Sequence, residues 1–181
     1  MDKPLTKEQQ SFLLALARKA ITSYLEQGAA TRIKPEDEEL KKKRGAFVTI
    51  KVDDQLRGCI GYPLPVKPLY ETIIDAAVSA ATKDFRFPPL EPKELPKTRI
   101  EISVLSLPRP IQDISEIEVG RHGIIITRGP NKGLLLPQVP LEWGWDRLTY
   151  LNHGCLKAGL EEDAWKRDAR IEIFSAQVFS E

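Results

Sequence analysis

The residues that could carry chemistry are few. The chain holds two cysteines and two histidines, so thiol or imidazole chemistry rests on Cys59, Cys155, His122 and His153. Cys59 has the most suggestive surroundings, the run Leu56-Arg57-Gly58-Cys59-Ile60-Gly61. Glycine is used where backbone must take a positive φ or be approached closely. Two of them beside a thiol would leave its sulfur uncovered. One reading makes Cys59 a small buried hydrophobe on a strand, the usual place of a free cysteine. The other makes it a reachable sulfur beside the fixed cation of Arg57, which favours the thiolate. An imidazole within reach activates such a thiol, and His122 is the candidate base. Nothing in the spacing selects an acid to orient His122; Asp84 and Asp146 are both available, and no oxyanion hole is assignable. Cys155 falls on an apolar helical face and reads as core.

No C-x-x-C or H-x-x-x-H pair occurs, so no metal site is visible in the sequence. No cofactor fingerprint is evident either: the glycines at 129 and 133 lack the spacing and following helix of a phosphate loop. Two further arginines matter. Arg57 lies in the cysteine run, and Arg86 lies in Asp84-Phe85-Arg86-Phe87-Pro88-Pro89-Leu90, a proline-pinned loop. Its phenylalanines could plug the core while Arg86 pairs with an acid. Alternatively Arg86 could hold a carboxylate or phosphate in a bidentate fork.

Composition bounds the setting. The 27 basic and 26 acidic residues nearly cancel, which gives no support for general nucleic-acid binding. No stretch reaches the roughly 18 apolar residues of a membrane span, and the N-terminus lacks a signal-peptide core. Two widely spaced cysteines are no disulfide framework. These features lead to the expectation of a soluble, cytoplasmic protein without membrane attachment.

The elements that would position these residues follow from periodicity. Thr6 to Gln9 fits a capping box, and apolar residues from Phe12 to Tyr24 recur at helical spacing up to Gly28. The charged segment 35–43 reads as a solvated face or loop. Ala46 to Val52 alternates as a strand, and Leu56 to Ile60 returns as the second arm of a hairpin, with Asp53-Asp54-Gln55 between them. Pro68 to Lys83 is a helix with Leu69, Ile73, Ala76, Ala77 and Ala80 inward. Arg99 to Leu107 is a strand ended by Pro108-Arg109-Pro110. His122 to Leu136 is a hairpin with a loose tip, and Pro137 to Pro140 turns the chain. Trp145 to Ala158 is a helix with Leu148, Leu151 and Cys155 inward, weakened at Gly154. One more turn follows within 162–166, and Arg170 to Phe179 closes as a strand. Hairpin-linked strands favour a mostly antiparallel sheet packed by helices. The fold class is α+β, one domain over 1–181 with a larger and a smaller lobe.

The run LRGCIG resembles the signature of the AMMECR domain family. Matching blocks continue at Gly45 to Thr49, Phe85 to Leu90, Glu94-Leu95-Pro96, His122-Gly123-Ile124, Leu136 to Val139 and Gly144-Trp145-Asp146, so the resemblance covers about residues 10–180. The family more often has proline at the position of Phe85. The resemblance implies a cleft between the lobes; the residues themselves make Leu56, Arg57, Gly58, Ile60, Gly61 and Arg86 the candidate binding residues, and Cys59 and His122 the candidate catalytic pair in an enzyme reading. Family relatives encoded beside Memo-like and radical-SAM proteins imply such proteins as partners. Two readings result: a module that binds a small ligand or a protein partner, and a thiol enzyme acting on an anionic small substrate. The first is favoured, because the catalytic set lacks an orienting third residue. The oligomeric state is not legible.

Overall fold

A computed structural model describes residues 3–181. The chain forms two compact units, each with its own apolar core. The larger takes in the chain up to Leu105 together with Gln177–Glu181; the smaller is Ser106–Ala176. All recorded strand pairs are antiparallel, and the fold is α+β as the sequence implies.

In the larger unit, helix α1 (Lys7–Gln27) begins at the expected box, where the Thr6 hydroxyl and the Gln9 side chain satisfy each other's backbone N–H groups. It buries Leu13, Leu16, Ala17, Ala20 and Ile21 and ends at Gly28. The segment expected as a solvated face holds instead a short turn of helix, Glu38–Lys41, with Leu40 buried. The Arg44 guanidinium is also buried and pairs with Glu39. Strand β1 (Ala46–Val52) turns into β2 (Gln55–Tyr62) through Asp53 and Asp54, both with positive φ. Val52 opposite Gln55 makes this a tight two-residue hairpin, and aspartate is among the few residues that tolerate two left-handed positions. Pro63 and Pro65 follow the last residue of β2, as expected of residues unable to donate to a ladder.

Helix α2 (Leu69–Thr82) lays its small, apolar face on this hairpin, burying Leu69, Ile73, Ala76, Ala77 and Ala80. Strand β3 (Thr98–Leu105) pairs with the other edge of β1. Ile100, Ile102 and Val104 point into the same core as Val48 and Ile50.

The smaller unit contains β4 (Arg109–Pro110), β5 (His122–Arg128), β6 (Asn131–Leu135), a short helix α3 (Val139–Trp143) and α4 (Arg147–Lys157). Strand β7 (Arg170–Ser180) runs on from this unit into the first. Several expectations are corrected here. Arg109 and Pro110 do not merely end a strand; they bridge Ile173 and Glu172 on β7. The tip of the β5–β6 hairpin is tight, since Arg128 faces Asn131 across only Gly129 and Pro130. The segment after Pro137 winds into α3, with proline in its first turn, where a missing N–H costs nothing.

Leu148 is half-exposed, not inward, and Tyr150 takes the interior place. The reason is helix phase. The buried stripe of α4 runs through Tyr150, Leu151, Gly154 and Cys155, a face turned away from Leu148, while Asp146 caps the helix by accepting the Thr149 N–H. Gly154 is less a weak point than a fit: a methyl group there would stand 2.8 Å from the Ile124 side chain. Cys155 is fully buried, and burial pushes its thiol pKa up, as expected of a core cysteine. The turn expected within 162–166 is present at Ala164–Lys166.

Candidate functional site

The candidate site grows from an irregularity in β2. Ile50 faces Gly58, but the next residue, Lys51, faces Leu56, so Arg57 is an extra residue in the strand. Such a bulge bends the strand and re-aims the side chain it carries. The re-aimed Arg57 forks onto Glu94 through Nε (2.9 Å) and Nη2 (3.0 Å). It also donates to the carbonyls of Pro88 (2.8 Å, from Nη1) and Pro89 (3.3 Å, from Nη2). All three guanidinium nitrogens are therefore used inside the unit. The guanidinium holds the Glu94 carboxyl below its ordinary pKa.

After the bulge, β2 regains its alternation. Gly58 faces α2, and a Cβ there would lie 2.1 Å from the carbonyl oxygen of Ala80. Gly61 faces the other way and lies under the Phe47 ring, 2.3 Å from an added Cβ. The two glycines thus admit a helix backbone and a ring. They do not serve to uncover the sulfur, contrary to the simplest reading of the motif.

Cys59 lies opposite Thr49 and is partly buried. Its Sγ accepts the Thr49 hydroxyl at 3.2 Å. Since β2 is an edge strand, the Cys59 backbone would otherwise point into solvent. Asp84, just beyond the end of α2, accepts the Cys59 N–H on Oδ2 at 2.9 Å. Arg86 grips the same carboxylate through Nε (2.9 Å) and Nη2 (2.7 Å) and donates to the Cys59 carbonyl at 3.5 Å. This acid–arginine pair occupies the edge at Cys59 as a neighbouring strand would, which also blocks pairing with another chain. Asp84 is 4% exposed, and the Arg86 guanidinium holds its carboxyl far below the usual carboxylate range despite burial. The carboxylate in turn raises the pKa of Arg86.

The fixed cation beside Cys59 is therefore Arg86, whose side chain remains 44% exposed, while Arg57 anchors the loop. Arg86 pairs with an acid, as one reading held, but the phenylalanines do not plug the core. Phe85 is 96% exposed, Phe87 lies against the Arg86 guanidinium at 5.5 Å, and Leu90 is the residue buried. Of the other motif residues, Leu56 is exposed and Ile60 packs against the core of the larger unit.

His122 belongs to the smaller unit. Its Nδ1 accepts the Glu118 backbone N–H at 3.1 Å. In the neutral ring that places the proton on Nε2. Burial pushes the imidazole pKa down, against the opposing pull of Glu118. Neither suggested orienting acid is on this ring: Asp84 is committed to Cys59 and Arg86, and Asp146 caps α4.

Sequence reasoning gave Thr49 and Glu94 no role and left Asp84 as one of two possible acids for His122; in the fold Asp84 meets Cys59 and Arg86. One signal was present. An Asp two residues before an Arg, followed by two prolines, suits a local turn in which the carboxylate takes the Arg N–H, here at 3.2 Å.

Comparison with known proteins agrees with the resemblance of the motifs. The family model described as AMMECR1 matches residues 14–179. Protein MK0488 of Methanopyrus kandleri is 52% identical, covering 100% of this chain and 92% of its own length. A protein of Thermococcus gammatolerans is 47% identical over 96% of this chain and 91% of its own. The crystal structure of the uncharacterised protein PH0010 from Pyrococcus horikoshii superposes with a TM-score of 0.82 at 42% identity, covering 98% of this chain and 93% of that one. No helix among the described residues is long and apolar enough to cross a membrane. With the LRGCIG strand, its arginine-tied loop and the match over 14–179 in agreement, the chain belongs to the AMMECR1 family.

Proposed function

We propose that the chain is a binding module whose site is the surface formed by the LRGCIG strand and the loop that carries Arg86. The supporting observation is the fixed exposure of Phe85 and Arg86. The loop is held by Arg57 at Pro88, Pro89 and Glu94, and by Asp84 at Cys59, yet it presents the exposed ring of Phe85 and the half-exposed side chain of Arg86. Holding the loop backbone and the Arg86 side chain in advance lowers the entropic cost of association. Aromatic and arginine side chains are also frequent anchors at protein surfaces. Nη1 of Arg86 has no partner among the described residues, which suits an acidic group on the ligand or partner.

Memo-like and radical-SAM proteins are the partners to try first, on the family resemblance. Purified candidates would be titrated calorimetrically against the chain and against Phe85→Ala and Arg86→Ala. Binding that these variants weaken supports the module; binding that both leave unchanged moves the site elsewhere.

The second reading, a thiol enzyme with Cys59 as nucleophile and His122 as base, draws its support from the Thr49 hydroxyl on Sγ and the nearby Arg86. Alkylation of the native protein across pH, with mass mapping to separate Cys59 from Cys155, decides between the two. Cys59 reacting rapidly well below the free-thiol value of about 8.5 favours the enzyme. Cys59 reacting like an ordinary thiol, or only on unfolding, leaves the binding reading.

A further inference from the structure

We propose that a groove along α2, built from residues other than the Cys59 cluster, binds a small flat aromatic acid. The groove measures about 840 Å³ and lies wholly within the larger unit, between α2, the chain that leaves α1 and the end of β2. That volume is of the size that takes a small organic ligand.

Its composition is selective. Three of the chain's four tyrosines, Tyr24, Tyr62 and Tyr70, line it. They come from three different elements, α1, β2 and α2, so their convergence is a product of the fold. Ile74 and Val78, one turn apart on α2, add an apolar surface. Tyrosine suits this task because its ring stacks on flat groups while its hydroxyl stays wet.

The charges define the ligand's sign. Both acids in the groove are already engaged: Asp75 pairs with Lys67 at 2.5 Å, and Glu71 accepts the Tyr70 hydroxyl at 2.8 Å. Lys67 also stands 6.0 Å over the Tyr62 ring. Two cations that line the groove, Arg32 and Lys83, have no carboxylate partner among the described residues. The Tyr70 hydroxyl leaves the Glu71 charge in place, but the three cations Arg32, Lys67 and Lys83 outnumber the two acids, so the groove is positive on balance. Tyrosine rings, an apolar surface and two unpaired cations complement an aromatic ring that carries a carboxylate or sulfonate.

The test is a fluorescence titration of the whole chain with anilinonaphthalene sulfonate, an aromatic sulfonic acid, beside the uncharged phenylnaphthylamine. Arg32→Ala/Lys83→Ala should keep the fold, because both side chains are exposed and unpaired; a melting curve checks this. The expected result is saturable one-to-one binding of the sulfonate, weakened about tenfold in the double variant, as the loss of two exposed ion pairs of up to about 1 kcal/mol each implies. The uncharged probe should bind wild type and variant alike. Absence of saturation, an unchanged sulfonate affinity in the variant, or equal weakening of both probes would overturn the proposal.

Discussion

The buried carboxylate of Asp84 accepts the backbone N–H of Cys59 at 2.9 Å while Arg86 grips both of its oxygens. A side chain from beyond α2 thereby replaces the missing neighbour of an edge strand at the thiol residue. The hydrogen bonds of the motif are thus made by residues outside it.

Asp84→Asn should destabilise the fold by about 1–3 kcal/mol, because a charged acceptor and the pairing of Arg86 are lost together. The pH dependence has a definite sign. The folded carboxyl is held far below its unfolded value of about 3.9, so the unfolded chain binds the proton first. Asp84 contributes its full stability above about pH 4 and loses it as pH falls towards the folded value. Urea unfolding from pH 7 to pH 3 should show an acid limb that flattens in Asp84→Asn; parallel curves would refute the linkage.

Gly58→Ala should cost roughly 3 kcal/mol or more, at the upper end of overpacking penalties. Its methyl group would meet a helix carbonyl at 2.1 Å, and neither backbone can step aside cheaply. Gly61→Ala meets the Phe47 ring at 2.3 Å and the Ala46 carbonyl oxygen at 2.5 Å, so it should also be costly, but less than Gly58→Ala because its nearest obstacle is a side chain that can change rotamer. Thermal unfolding of the two variants gives the ranking, and the reverse order would contradict the packing described here.

Arg57→Lys should loosen the loop without unfolding the protein. A lysine supplies one ammonium where the guanidinium serves Glu94 on two sides and two proline carbonyls. Hydrogen exchange at the Arg86, Phe87 and Leu90 amides should quicken, while exchange in the β1–β3 ladder stays unchanged. Unaltered loop protection would show that Arg57 is not the anchor.

His122 should titrate below its ordinary value of 6.5 and carry its neutral proton on Nε2. The lowered pKa means that folded His122 resists protonation, so its contribution to stability is full above the unfolded value and is lost as pH falls from there through the folded value. Nitrogen-15 spectra of the imidazole report both properties. A proton on Nδ1 would remove the Glu118 N–H contact, and a titration above 6.5 would mean that burial does not outweigh the pull of the Glu118 carboxylate.

Much of this fold could be read along the chain, because local signals act over a few residues. The Thr6–Gln9 box, the Gly28 stop, the alternation of β1 and β3 and the apolar stripe of α2 each depend on neighbours three or four places away. The motif itself announced the family. Tertiary structure decided what each motif residue is for, since its partners come from distant positions. Glu94 lies 37 residues from Arg57, and Asp84 lies 25 from Cys59. The meaning of Gly58 depends on a carbonyl of α2, and that of Arg57 on a bulge that appears only when β2 is set against β1. The inward face of α4 is set by what packs against it, so Tyr150, whose hydroxyl meets carbonyls of His122, Leu135 and Leu136, takes the interior place expected of Leu148. Periodicity reports which residues turn inward; only the packed chain reports what they meet, because hydrogen bonds and steric contacts depend on distances in space.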